Sequence, residues 1–387
     1  MTSLEPDLGA ISSWRNGLLL ALLVWLLTWL LYSQTFNSTM TPTDFHQVFS
    51  GGNGQVYPPP LALALRPLAK LPLDAAVHLW FFICVVSLLL SVGLFAKAAG
   101  IQLHDAAPLG IMLIVGFHFR PTALDFWQGQ FVMPVLTLLC AAYLADSRDR
   151  PYSLAACIAV AAMIKPWMLG LLIYPLIRRK PLAFFWGLSL FAGVVGLFLV
   201  RQGWGNWFSL PRAMGRLFIM DLPSGFQNQS ILGFAQAHFA PNAGSPWMEN
   251  PQAIYLFVAG GFVVLSLGLG IASRRAPSAR GNHARLLLGM TVVSLLLALP
   301  VCPRCNFVLL LPAIWTLLTI DAVSTAARGA AILAYAIFTR PFTGHEPPGW
   351  MSILPSAFFL AAVLLWVVLL ASIRQRRRPT HAAAYFR

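Results

Sequence analysis

The apolar positions of this chain come in blocks, not in stripes. Residues 17–32, 75–96, 182–200, 254–271, 286–301 and 353–371 are each dominated by Leu, Val, Phe and Ala. A run of about 18 or more apolar residues with few charges is long enough to cross a bilayer as a helix. A membrane barrel would instead show alternating segments of about ten residues. The pattern predicts an all-α, polytopic membrane protein, a bundle of about 10–12 helices that are full-span or half-membrane in length. It reads as one integral domain over residues 1–387, with the longest polar stretches at 33–72 and 201–252 and a basic tail at 373–387.

One apolar segment, 152–176, carries Lys165-Pro166 at its middle. Lysine at mid-membrane is costly, and proline interrupts the helical hydrogen-bond ladder. The basic clusters choose between its readings. Positive residues collect on the cytoplasmic side of membrane proteins. Arg376-Arg377-Arg378, the group Arg274, Arg275, Arg280 and Arg285, and Arg178-Arg179-Lys180 are therefore assigned to that side. Counting forward from a cytoplasmic N-terminus, with the first apolar run retained as a span rather than cleaved, puts 33–72 outside and 146–151 inside. The two counts agree only if 152–176 crosses an even number of times. The sequence thus predicts two short helices, 153–164 and 167–176, with Lys165 at or near the outer tip; one Pro-kinked span is the alternative. Both termini then lie inside, and the loops 33–72 and 201–252 face outward.

Composition agrees with this placement. The chain is 58% hydrophobic and 10% charged, against about 25% charged for a soluble domain. Its net charge of +14 raises nucleic acid as a partner, but the basic residues sit at span ends and no aromatic-basic polar domain accompanies them. No nucleic-acid partner is expected. No internal repeat of segment lengths is visible, which disfavours repeat-built transporters.

Candidate chemistry gathers in the outward stretches. Asp44 is the first acidic residue after the first span. Asp and Thr are good helix caps, so Thr43 or Asp44 fits that role. A carboxylate at the membrane surface also fits a general base that takes a proton from an attacking hydroxyl. Gln128 and Gln130 flank Gly129 and offer amide donors and acceptors, beside an interfacial Trp127. Lys165 at the head of a short helix suits a lipid phosphate, through charge and free backbone N–H groups, as well as a snorkelling lysine. Asn228-Gln229-Ser230 lies in the second long loop with Trp204, Trp207 and Trp247 nearby in sequence. In Cys302-Pro303-Arg304-Cys305 the βαβ context of a redox CxxC is missing, a structural disulfide fits an oxidising compartment, and Arg304 is a second candidate phosphate ligand. His46, His118, His345 and Glu346 show no local metal-ligand spacing. No cofactor is expected, and a loosely held divalent cation stays open.

Taken in order, Asp44-Phe45, Tyr57-Pro58-Pro59 leading to Pro67-Leu68-Ala69-Lys70-Leu71-Pro72, Gly129-Gln130, Ile164-Lys165-Pro166 followed by Arg178-Arg179-Lys180, and Asn228-Gln229-Ser230 resemble family 87 of the glycosyltransferases. These are GT-C class membrane enzymes typified by polyprenol-phosphate-mannose-dependent α-1,2-mannosyltransferases. The resemblance runs from Asp44 to about Pro312. It departs at Phe131-Val132-Met133, where the family often has Asn, and at Pro303-Arg304-Cys305-Asn306, where it often has a Trp/His-containing patch. The second departure bears on the donor sugar and the acceptor.

The resemblance implies an inverting transfer of a hexose or pentose, mannose foremost, from a polyprenyl-phosphate donor to a glycan or glycolipid acceptor. Asp44 would be the base, and Lys165 and Arg304 would hold the donor phosphate. His46, Tyr57, Gln128, Gln130, Asn228 and Gln229 would contact substrate. The expected location is a bacterial-type cytoplasmic membrane with the active site on the outer, periplasmic side. The competing reading is a transporter or flippase of a lipid-linked saccharide. Asp44 and Lys165 are expected to face one outward-opening cavity.

Overall fold

The computed structural model describes residues 8–36, 45, 61, 64–102, 104–202, 228–240, 249–274, 281–320, 323–340 and 356–375. In chain order its first helices are α1 (Leu8–Phe36), α2 (Leu73–Ala99), α3 (Ala106–His118), α4 (Arg120–Gln128), α5 (Val132–Ser147), α6 (Pro151–Ile164) and α7 (Ile173–Ile177). There follow α8 (Pro181–Gln202), α9 (Ile231–Phe239), α10 (Pro251–Ser273), α11 (Asn282–Ala298), α12 (Leu311–Thr319), α13 (Thr325–Thr339) and α14 (Ala357–Gln375). Short 3-10 turns cover Leu68–Lys70, Pro166–Leu172 and Arg304–Leu310.

Among the described residues, α1, α2, α8, α10 and α14 are long and apolar enough to cross a membrane, α3 and α4 form one bent pair, and six shorter apolar segments complete the set. The chain is an all-helical polytopic membrane protein. The bend between α3 and α4 is 51°. It falls at Phe119, two residues before Pro121, whose missing N–H and ring cannot continue the ladder. Thr122 donates its hydroxyl to the Gly116 carbonyl at 2.8 Å, which satisfies an acceptor that the break sets free.

Burial sorts the long helices. In α2 and α14, 56% of the span-length window is buried, against 11% in α1, α8 and α10. Those three present large apolar side chains such as Trp25, Leu197 and Leu256 outward, as a lipid-facing surface requires. The centre is α11, buried at nearly every position from Ala284 to Leu297. It is flanked by α14, whose Trp366 indole donates to Ser294 Oγ at 2.8 Å. Beside it, α2 packs on α5 through Thr137, which donates to Ser87 O at 2.8 Å and meets Ser91 Oγ at 3.1 Å.

The segment around Lys165 turns back on itself. Arg178 Nη1 meets Asp146 Oδ1 at 2.9 Å, and Tyr174 donates to Asp146 Oδ2 at 2.7 Å. Run straight through the bilayer, the intervening helices would hold these groups about 40 Å apart. The pair therefore requires α6 to run away from Asp146 and 166–177 to return beside it. The out-and-back path is the one expected for this segment from the charge pattern. The outgoing limb is α-helical over 151–164, close to the expected 153–164. The returning limb begins as a 3-10 turn rather than an α-helix, because Pro166 opens it and Gly170 brings it against α11. A Cβ at Gly170 would stand 2.6 Å from Leu295 Cδ1.

The same contacts define two ends of the bundle. Asp146, Tyr174, Arg178, Ala284 and Arg285 lie at one end, where Arg285 also donates to the Ala98 carbonyl at 2.6 Å. Gln130, Lys165, Asn228, Pro303 and Phe359 lie at the other. The stretch expected as an outward loop over 201–252 contains helix α9. Ser230 caps it, accepting from Gly233 N at 3.0 Å.

Candidate active site

At the Lys165 end, α4 terminates at Gly129, whose left-handed φ of 62° returns the chain towards α5. Asp125 organises that reversal. Its carbonyl accepts from Gln130 N at 2.9 Å, and its buried carboxylate accepts from Val132 N at 3.2 Å. A carboxylate on the first N–H groups of a helix is favoured by the helix dipole as well as by the hydrogen bond. The result fixes Gln130, itself buried, with its amide oxygen facing Lys165. Lys165 Nζ donates to Gln130 Oε1 at 2.9 Å. Lys165 occupies the extended residue between α6 and the 166–172 turn, so its position depends on the same Pro166 break that makes the hairpin.

Arg304 opens the 304–310 turn, which packs against α4 and α5. Its guanidinium lies over the Phe358 ring, 5.6 Å from the centroid. Burial, and next the neighbouring Arg120 charge, pull it down to about 10, which leaves it cationic at neutral pH. Arg120 itself lies 4.2 Å over the Trp127 ring. Lys165 is within electrostatic reach of Cys302, two residues before Arg304. One end of the bundle thus gathers three cations, Lys165, Arg304 and Arg120, the first of them bonded to the Gln130 amide. Like charges brought together at a partly desolvated surface repel one another, and an anion relieves that repulsion. The arrangement suits a phosphate.

Asn228 and Gln229 have connecting roles in this geometry. Asn228 Nδ2 donates to Pro300 O at 2.8 Å, and its Oδ1 accepts from Cys302 N at 2.9 Å. Gln229 N donates to Cys302 O at 2.9 Å, and Gln229 Oε1 accepts from Phe359 N at 3.1 Å. These bonds tie the start of α9, the loop before Arg304 and the start of α14 into one unit. Both Cys302 and Cys305 are buried free thiols. Gln128 is half-buried at the end of α4.

Asp44, His46 and Tyr57 lie outside the described residues. Phe45 does not. It is buried, stacked on Trp80 at 5.7 Å between centroids, and Trp80 packs at 4.8 Å on Phe131, the residue after Gln130. Among the described residues no three His, Cys, Asp or Glu side chains converge. The sequence reading gave Trp127 an interfacial position and missed Arg120 as its partner, although their spacing of seven puts them on one helix face.

The fold and its cation-bearing end describe a helical membrane protein with a polar site at one end of the bundle. A sequence model of glycosyltransferase family 87 matches residues 56–303, and the chain belongs to that family. It is a membrane glycosyltransferase. The match contains Gln130, Lys165, Asn228 and Gln229; Asp44 and Arg304 fall just beyond its two limits. No curated protein and no solved structure matches the chain.

Proposed function

We propose that the enzyme transfers a sugar, mannose foremost, from a polyprenyl-phosphate donor to a glycan or glycolipid acceptor at the outer face of a bacterial-type cytoplasmic membrane, with inversion. The observation that carries this reading is the meeting of Lys165 with Gln130 in the same end of the bundle as Arg304 and Arg120. Orientation follows from the opposite end, where Arg178, Arg179, Lys180 and Arg285 collect; the excess of positive charge marks the cytoplasmic side. In the reaction, Asp44 accepts the proton of an acceptor hydroxyl. The oxygen forms a bond to the anomeric carbon from the face opposite the donor phosphate. The bond from that carbon to the phosphate oxygen breaks, and both of its electrons leave with polyprenyl phosphate. The leaving group gains a negative charge, which preorganised cations stabilise. A phosphate is a good enough leaving group to depart without a second carboxylate, unlike the alcohol released in glycoside hydrolysis.

Purified protein incubated with a panel of polyprenyl-phosphate sugars, and separately with nucleotide sugars, tests the reading. Loss of one polyprenyl-phosphate sugar with formation of an inverted glycoside is expected. Consumption of nucleotide sugars alone, or movement of a lipid-linked saccharide across liposomes with no glycosidic product, would overturn it. Replacing Lys165 with Met removes the ammonium and keeps the aliphatic stem. Turnover at saturating donor is expected to fall by about 10²–10³-fold, the usual cost of losing one group that stabilises developing charge. Wild-type turnover in a well-folded Lys165→Met protein would remove Lys165 from the phosphate site.

A further inference from the structure

Among the described residues, Asp125 is the one acidic residue with no exposed surface, at 0%. It therefore touches no substrate, yet it holds the α4–α5 reversal from both sides. Its carbonyl accepts from Gly129 N and, at 2.9 Å, from Gln130 N. Its carboxylate reaches past Gln130 and Phe131 to Val132 N, the first residue of α5, at 3.2 Å. The carbonyl bonds end α4 with main-chain atoms alone, as a left-handed glycine at that point permits. The carboxylate bond is additional, and the two helices have other anchors. Phe126 of α4 meets Phe81 edge-on at 5.0 Å, and α5 is fastened to α2 through Thr137 and Ser87. What the carboxylate spans is the stretch Gln130-Phe131. Phe131 is wedged on Trp80 at 4.8 Å. Gln130 is the member of that stretch that carries its amide oxygen to Lys165 Nζ, at 2.9 Å.

We propose that Asp125 is a positioning residue for sugar transfer, acting through Gln130 on the Lys165 ammonium; the proposal rests on the transfer reading above, which sets Lys165 at the donor phosphate. A lysine is a point charge on a flexible four-carbon stem, so it stabilises a leaving group well only when something fixes its direction. The Gln130 amide does this without neutralising the ammonium. A carboxylate at that position would compensate the charge that the departing phosphate needs. The anionic group sits one step back, at Asp125, where it makes a charge-assisted bond to a backbone N–H and the N-terminus of α5 offsets part of the cost of burying it. A misplacement of about 1 Å at such a site costs on the order of 10²-fold in rate. The loss falls on turnover, because the charge that Lys165 meets develops as the phosphate leaves.

A double-mutant cycle on the full-length protein in lipid nanodiscs tests this. Wild type, Asp125→Ala, Lys165→Met and the double variant are compared by turnover at saturating donor. Asp125→Ala is expected to lose about 10²-fold. The double variant is expected to be no slower than Lys165→Met within about threefold, because a residue that acts through Lys165 has nothing left to position. A loss of fold, or a smaller active fraction, would instead multiply with the lysine loss. Asp125→Asn keeps an oxygen that can accept from Val132 N and is expected to stay within about tenfold of wild type. Where Asp125→Ala does not insert, Asp125→Ser, whose shorter side chain reaches Val132 less well, is carried through the same cycle. Multiplying losses in the cycle, wild-type turnover in folded Asp125→Ala, or an Asn variant as slow as the Ala variant overturns the assignment. The cycle is read with whichever sugar donor the wild type consumes. Consumption of nucleotide sugars alone thus overturns the transfer reading, while the cycle still decides whether Asp125 acts through Lys165.

Discussion

Asp44→Asn is expected to lower turnover by about 10²–10⁴-fold, the range associated with a positioned general base, while leaving membrane insertion and yield at wild-type levels. The substitution is informative because Asn caps a helix about as well as Asp. It keeps size and capping ability and removes the proton-accepting carboxylate. A protein whose Asp44 only caps a helix therefore tolerates Asn and suffers from Ala, losing about 1 kcal/mol of stability. A protein whose Asp44 is the base fails with both. The described neighbourhood favours the second outcome. Phe45 is buried against Trp80, and Trp80 against Phe131, so the chain next to Asp44 is tied to the turn that carries Gln130 and, through it, Lys165. The measurement is turnover at saturating donor and acceptor, with insertion followed by size-exclusion profile. Near-normal turnover of well-inserted Asp44→Asn would sink the assignment.

Much of the architecture was legible because the membrane simplifies the physics. A segment in lipid must satisfy its own backbone and match the bilayer thickness, so apolar runs and basic clusters alone predict an all-helical bundle. They also predict the return of the chain at Lys165. What decided that point was the charge of Arg178-Arg179-Lys180, and the structure meets it with the Arg178–Asp146 pair. The site was legible residue by residue and obscure as a geometry. Lys165, Gln130 and Arg304 were readable as candidates, yet nothing local in the sequence says that Lys165 donates to an amide 35 positions away. Asn228 and Gln229 looked like sugar-binding amides, but their bonds run to backbone atoms 72 to 130 positions distant. Such pairings depend on tertiary packing, which residue spacing does not encode. Two signals were present and unread: Ser230, three residues before Gly233, as the cap of α9, and Arg120 with Trp127 on one face of α4.

Removing the carboxylate of Asp146, as in Asp146→Ala, is expected to destabilise the protein by about 3–5 kcal/mol, the cost of leaving one member of a buried ion pair without its partner. Arg178 is buried, with 7% of its side chain exposed, and Asp146 is nearly so at 11%. The pair also belongs to a larger hydrogen-bond network. Arg178 Nη1 reaches both carboxylate oxygens, at 2.9 and 3.1 Å, and the Tyr174 hydroxyl at 3.0 Å. Tyr174 in turn lies 3.3 Å from the Ala284 carbonyl at the start of α11. Asp146 thus closes the base of the hairpin whose tip is Lys165, and joins it to the central helix. The double replacement Asp146→Leu with Arg178→Met discriminates between a charge that needs its partner and a clamp that the fold requires. It should recover much of the single-variant loss, because an apolar pair leaves no buried charge unsatisfied. Thermal unfolding in detergent reads the stability, and turnover reads the function. If the double variant regains stability and stays slow, the pair acts on catalysis by fixing where the hairpin presents Lys165 to Gln130. If the double variant is as unstable as Asp146→Ala, the hydrogen bonds of Tyr174, rather than the charge, hold the hairpin closed.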